Sequence, residues 1–280
     1  LLKRTNMSVT YKALNNLANV NVVIKFLNTP NQEQASREIR HSYQLLSQLD
    51  RKLCAQWIDC GTVLVEQGKI LPDGSSAGHV IYYIVQEYID GLTLHEFIQS
   101  VSMRGESKLE FTHNLISAVA AVYNVGYTHR DIKPANFIVP KDGKLKIIDF
   151  GMSRTTAEAS GMEGHSPGYT PPEVRKGGDW TPMGDVWSTA RSVLAIFCGE
   201  REDDLNGPKI LWENIQAMDW PEFETFLRDN TQDDPLLRDQ NAQKMLERFD
   251  VITAQRKCQK IWQELAGKSA DEVTKALSNT

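Results

Sequence analysis

Residues 126–151 read GYTHRDIKPANFIVPKDGKLKIIDFG, with acids, bases and an amide set among short apolar runs. This stretch constrains the chain more than any other. The apolar runs around Phe137 and Ile147 flank a Lys-Asp-Gly turn, which predicts two short strands at 136–139 and 144–148. The polar residues beside them then lie on loops that apolar strands anchor. Asp131, Lys133 and Asn136 fall on one such loop and Asp149 on the turn after the second strand.

Composition narrows what those loops can serve. At 280 residues the chain can bury a substantial core, and its 41% hydrophobic and 24% charged residues are ordinary for a globular protein. No apolar run approaches the ~20 residues of a membrane span, and no secretory signal opens the chain. A formal charge of −5 argues against a broad nucleic-acid surface. Cys54, Cys60, Cys198 and Cys258 lack CxxC spacing and have apolar sequence neighbours, so they are expected as reduced thiols in a cytoplasmic protein. Asn6-Met7-Ser8 fits a glycosylation acceptor, with nothing else pointing to secretion, and a start at Leu1 is expected of a piece of something longer.

Two differently patterned regions follow from periodicity. Strand-like runs at 8–14 and 20–27 form a hairpin across an Asn-rich turn, a helical pattern covers 31–49, and strand-like runs return at 57–65 and 79–89 around a Pro- and Gly-containing loop. Residues 1–89 thus predict a sheet of about five strands with one helix. From 90 to 280 helices dominate, at 93–102, 109–125, 183–198, 209–218, 221–229 and 241–266. The stripe Met245, Phe249, Ile252, Cys258, Ile261, Trp262, Leu265 in the last helix is expected to pack into the core.

Phosphoryl transfer needs a site for metal-bound phosphates, a group that orients the acceptor, and cations for the developing charge. Asp131 can orient an acceptor hydroxyl and take its proton, Lys133 can neutralise the moving group, and Asn136 and Asp149 offer oxygen ligands to a hard cation such as Mg²⁺. Taken together, HRDIKPAN and DFG resemble the catalytic and metal-binding loops of the eukaryotic-like (Hanks-type) serine/threonine protein kinases. The resemblance extends over most of residues 8–198. SPGYTPPE at 166–173 is similar to the family segment that contacts the catalytic Asp, with Pro171 in place of the usual Ala, and GDVWSTARSVL to the helix whose Asp185 supports the catalytic loop. IYYIVQEYIDGLTL is similar to the last upper-lobe strand and hinge.

The resemblance implies an α+β, bilobal fold with a small antiparallel N-lobe (1–89) and a larger, mainly helical C-lobe (90–280). It implies ATP and Mg²⁺ as cofactors, and protein partners that carry Ser or Thr. It assigns Lys25 of VVIK to the α- and β-phosphates and makes Gln86 the gatekeeper. Glu87 and Ile89 become backbone contacts for adenine, and His129 packs under Phe150. Thr155, Thr156 and Ser160 are candidate phosphorylation sites, which Arg130 could pair.

Three features depart from the family pattern. The positions of the glycine-rich loop fall on Lys3, Thr5 and Ser8, and the chain has no glycine before Gly61. The compact loops and unorthodox tail suggest a prokaryotic-type, divergent member. An active enzyme with a stiffer lid and a pseudokinase that only binds both remain open, and a small-molecule phosphotransferase is a third possibility. The helix anion for Lys25 is Glu38 by residue type, although alignment by spacing points to Ser42. No arginine motif marks the partner of Glu173; Arg248 and Arg201 are the candidates.

Overall fold

The computed structural model describes residues 1–5, 8–29, 31–64, 80–103, 105–141, 144–158, 166, 168–199, 212–266 and 268. Asn6, Met7, the loop at 65–79, the Asp142-Gly143 turn, Ser160, Pro167 and Arg201 lie outside them.

The first region is an antiparallel five-stranded sheet: β1 (Lys3–Arg4), β2 (Ser8–Asn15), β3 (Val20–Leu27), β4 (Trp57–Leu64) and β5 (Val80–Glu87), in the order β1-β2-β3-β5-β4. The Asn15 side chain organises the β2–β3 turn by accepting from the Leu17 and Ala18 amides at 3.0 and 3.1 Å, an Asx turn. The resulting register sets Thr10 opposite Lys25, and Lys25 opposite Ile84. Helix α1 (Gln32–Leu46) starts at Asn31, whose side chain caps the Glu33 and Gln34 amides. It buries Ala35 against Leu27 and Ile84, a small core beneath the sheet.

The second region begins at β6 (Gly91–Thr93), followed by α2 (Leu94–Ser100) behind a Thr93/Glu96 capping box and by α3 (Gly105–Asn124). β7 (Tyr127–Thr128) and β10 (Arg154–Thr155) pair in one small antiparallel sheet, and β8 (Phe137–Pro140) joins β6 and β9 (Lys146–Ile147) in another; together they frame the polar loops. The short α4 (Pro172–Arg175) then leads into α5 (Pro182–Cys198), followed by α6 (Trp212–Gln216), α7 (Pro221–Asn230) and α8 (Ala242–Leu265). Helix α5 is buried from Gly184 to Phe197, so it has no solvent face and α3, α6, α7 and α8 surround it. Its Phe197 joins Phe223, Phe226 and Phe249 in ring contacts of 5.1–6.2 Å.

The architecture is that of a bilobal kinase fold, α+β, as the sequence predicts. Two expectations are corrected. Cys60 and Cys258 are exposed rather than packed in apolar surroundings. Cys54 is buried, and burial pushes its thiol up to about 11, which keeps it protonated and inert. The apolar stripe of α8 is buried only at Met245, Phe249 and Ile252; Ile261 and Leu265 are partly exposed and Trp262 is 75% exposed. Among the described residues, no helix is long and apolar enough to cross a membrane.

Candidate active site

The polar loops meet the first sheet at Lys3 and Lys25, and the site begins with strained backbone. Arg130 has φ +66° and Asp149 φ +65°, left-handed conformations that cost non-glycine residues about 1–2 kcal/mol each. Such strain persists where the surroundings over-determine it. At Arg130 they do: the buried Asp185 carboxylate of α5 accepts the His129 and Arg130 amides at 2.6 and 3.0 Å, and the Trp180 indole N–H at 3.0 Å. The loop therefore stands on α5.

His129 packs on Phe150 at 5.2 Å between ring centroids, and both are buried. Burial lowers its pKa against the pull of Asp185, Asp131 and Asp149. Its Nδ1 accepts the Asp131 amide at 3.3 Å, which requires the neutral ring. The unfolded chain takes up a proton near pH 6.5 that the fold refuses. Stability is thus present above that pH and falls as the pH drops below it. His129→Phe is expected to flatten this loss, measured as urea midpoints at pH 7.5 and 5.5; parallel curves for the two proteins would refute it.

Asp131 sits at the centre of a hydrogen-bonded group. Lys133 Nζ lies 2.9 and 2.8 Å from its two carboxylate oxygens, and the Ser166 hydroxyl donates to Oδ1 at 2.7 Å. Lys133 Nζ also reaches the Ser166 oxygen, at 2.5 Å. Asn136 donates both amide hydrogens towards Asp131, to its carbonyl and to Oδ2, each at 2.7 Å. That turns Asn136 Oδ1 towards Asp149.

Asp149 is held by two ammonium groups. Lys25 Nζ lies 3.0 Å from Oδ1 and Lys3 Nζ 2.9 Å from Oδ2. Burial opposes ionisation of Asp149, but Lys25 and Lys3 outweigh it and hold the carboxyl well below its ordinary value. Lys25 also bonds Glu38 at 3.1 Å. Of the two helix candidates, Glu38 is therefore the one in contact, while Ser42, one turn on, is buried. Gly151 allows this packing: a Cβ there would come within 2.6 Å of Lys25 Nζ and 3.0 Å of Glu38 Oε1.

Glu87 ends β5, and its carboxylate is taken by Lys146 Nζ and the Gln56 amide, each at 3.1 Å. Ile89 is buried two residues later, at the passage to β6. Arg130 donates to Thr128 Oγ1 at 3.1 Å and to the Glu158 carbonyl at 2.6 Å, which ties it to the segment carrying Thr155 and Thr156.

The donor set suits Mg²⁺. Asn136 Oδ1 and Asp149 are hard oxygens facing one cation, the Lys3 ammonium, at 3.5 and 2.9 Å. Among the described residues, no cluster of three His, Cys, Asp or Glu could cage a metal by itself. Mg²⁺ ordinarily takes one or two protein oxygens and completes its shell with water and phosphate.

Sequence reading left the partner of Glu173 open between Arg248 and Arg201. Glu173 is paired not by Arg248 but by Arg238, in a fork with two bonds of 2.7 and 2.8 Å. Arg248 bonds Asp229 at 2.5 Å instead. Nothing in the local sequence marks Arg238, an isolated cation in an irregular loop. Lys3 was legible only as a missing glycine.

Comparison with known proteins agrees with this geometry. Residues 4–265 match the family model "Protein kinase domain". The chain is 34% identical over 139 residues to the maternal embryonic leucine zipper kinase of Danio rerio, covering 48% of this chain and 21% of the relative. It is 31% identical over 143 residues to the serine/threonine-protein kinase PrkC of Bacillus subtilis (49% and 22%). Identity to the probable serine/threonine-protein kinase PknB of Lactococcus lactis is 29% over 123 residues (42% and 20%). These alignments span about a fifth of each relative's length. With a family match over nearly its whole length and the motif residues gathered at one site, the chain belongs to the protein kinase family.

Proposed function

We propose that this protein transfers the γ-phosphoryl group of ATP to Ser or Thr hydroxyls of protein substrates. The observation that carries this reading is the convergence of Lys25, Asp131, Lys133, Asn136 and Asp149, up to 124 residues apart, into two hydrogen-bonded groups that Lys3 joins. In this reading Asp131 orients the acceptor hydroxyl and takes its proton as the oxygen attacks the γ-phosphorus. Lys133 neutralises the transferring group, and the bond to the bridging oxygen breaks to release ADP. Lys25, held by Glu38, binds the α- and β-phosphates, while the Glu87 and Ile89 backbone meets adenine. Asn136 and Asp149 would hold Mg²⁺, whose charge offsets that of the phosphates when bound.

The contact of Ser166 with both Asp131 and Lys133 supports hydroxyl acceptors, because the same carboxylate already accepts from an aliphatic hydroxyl. Residues 1–89 act as the nucleotide-covering lobe and 90–280 as the substrate lobe. A cytoplasmic location and protein partners belong to the same proposal.

The test is transfer of labelled phosphate from Mg-ATP to a mixed protein substrate, with Asp149→Ala as control. Label on Ser or Thr that the control loses supports the reading. Nucleotide binding without transfer would replace it by a pseudokinase acting as a binding module, which the glycine-free lid favours.

A further inference from the structure

The lid strand β1 carries a lysine where backbone amides usually meet phosphate, and three observations bear on it. The first is register. Lys3 pairs with Thr10, Thr10 with Lys25, and Lys25 with Ile84, so Lys3 and Lys25 lie in one cross-strand row. Residues opposite one another in antiparallel strands share a face. Both lysines therefore point down from the sheet, two strands apart, or about 10 Å at the backbone.

The second is convergence. From that separation the two ammonium groups reach opposite oxygens of Asp149, at 2.9 and 3.0 Å, and Lys3 also lies 3.5 Å from Asn136 Oδ1. The third is the lid's own hydrogen bonding. The Thr5 amide donates to the Ser8 carbonyl at 2.9 Å, and the Ser8 amide to Thr5 Oγ1 at 3.0 Å. These two amides are taken up between Thr5 and Ser8 and are not offered downward.

We propose that Lys3 is a nucleotide-phosphate-binding residue, a second cation that the lid strand supplies in place of glycine-loop amides. The inference rests on the ATP-dependent reading above. Asp149 and Asn136 would hold a divalent cation with the same oxygens that Lys3 contacts, which would free the Lys3 ammonium. Phosphates bound together with that cation would lie beside the same carboxylate, within reach of the Lys3 side chain. They are then the nearest anions to Lys3. Its side chain is 42% exposed on a flexible stem and is free to swing to them. Lys25 stays on Glu38, so the two lysines grip the phosphates from neighbouring positions under the sheet.

The experiment measures the affinity of a fluorescent ATP analogue, with Mg²⁺, for the full chain and for Lys3→Met and Lys3→Arg. Melting temperatures serve as the folding control. Lys3→Met is expected to weaken binding about tenfold, the loss of one partly exposed charge-assisted contact, and Lys3→Arg to stay within about twofold. Unchanged or tighter binding by Lys3→Met would make Lys3 a counter-ion that merely competes with the metal, and would overturn the proposal. Binding by the unaltered chain separates the two readings. If it binds and Lys3→Met binds equally, only the lysine assignment fails; if it does not bind, the ATP-dependent function fails as well.

Discussion

Asp131→Asn is expected to lower the rate of phosphoryl transfer by about 10²–10⁴-fold, the usual contribution of a positioned general base. The asparagine keeps the size of the side chain but has no carboxylate to take a proton. It also removes the charge that Lys133 pairs at 2.8 Å, and an amide nitrogen in place of Oδ2 no longer accepts from the Asn136 amide. Nucleotide affinity is expected to change little, because Lys25 and Asp149 stand on other strands and turns. Steady-state kinetics should therefore show kcat falling while KM for ATP holds. A variant within about threefold of the unaltered chain would remove Asp131 from the chemistry, on the general-base scale above.

The second large effect concerns stability. Arg238 has a fully buried side chain, and all of its donor nitrogens are in use. Besides the fork to Glu173, it bonds the Met183, Gln232 and Asp233 carbonyls at 3.1, 2.8 and 3.1 Å. Arg238→Ala leaves Glu173, itself mostly buried, and three carbonyls without that partner. Breaking such a pair from one side costs about 3–5 kcal/mol, read as a drop in the urea midpoint at unchanged slope. Removing both charges, as Arg238→Met with Glu173→Gln, is expected to recover much of the loss, since the penalty lies in the stranded charge. Lysine cannot replace the fork, because an ammonium offers one centre where the guanidinium offers two parallel bonds. A loss below about 1 kcal/mol for Arg238→Ala would mean that water reaches the site and satisfies Glu173. Because Glu173 begins α4, directly after the segment that carries Ser166, the alanine variant should also lose activity.

Much of the fold was legible in local pattern. The β-branched, apolar runs at 8–14 and 20–27 and the helical spacing around Leu115, Val119 and Val122 place elements within a few residues of those observed. These signals are local because each element must turn one apolar face to the same core. Expectations failed where burial depends on distant neighbours. The stripe of α8 continues to Trp262, but a stripe states which side is apolar, not whether anything covers it.

The candidate site divides the same way. Asp131, Lys133, Asn136 and Asp149 could be singled out because their order along the chain, beside short strands, is itself informative. Glu38 and Ser42 could not be separated by sequence, since residues four apart on a helix share a face. The tilt of α1 under the sheet brings Glu38 to Lys25. Arg238 lies 65 residues from Glu173 and Lys3 146 residues from Asp149, and neither sits in a pattern that its neighbours enforce.

By itself, then, the sequence determined which residues form strands and helices and which loop carries the acids, bases and amides. Covalent spacing and side-chain period are properties of a short stretch of chain. Only the tertiary structure decided which charges meet. Sheet register turned Lys3 and Lys25 to the same face, and α5 set Asp185 beneath the strained turn at Arg130. A one-residue slip of β1 would turn Lys3 away from Asp149. Its ion pair is therefore a consequence of pairing between strands, which no local pattern encodes.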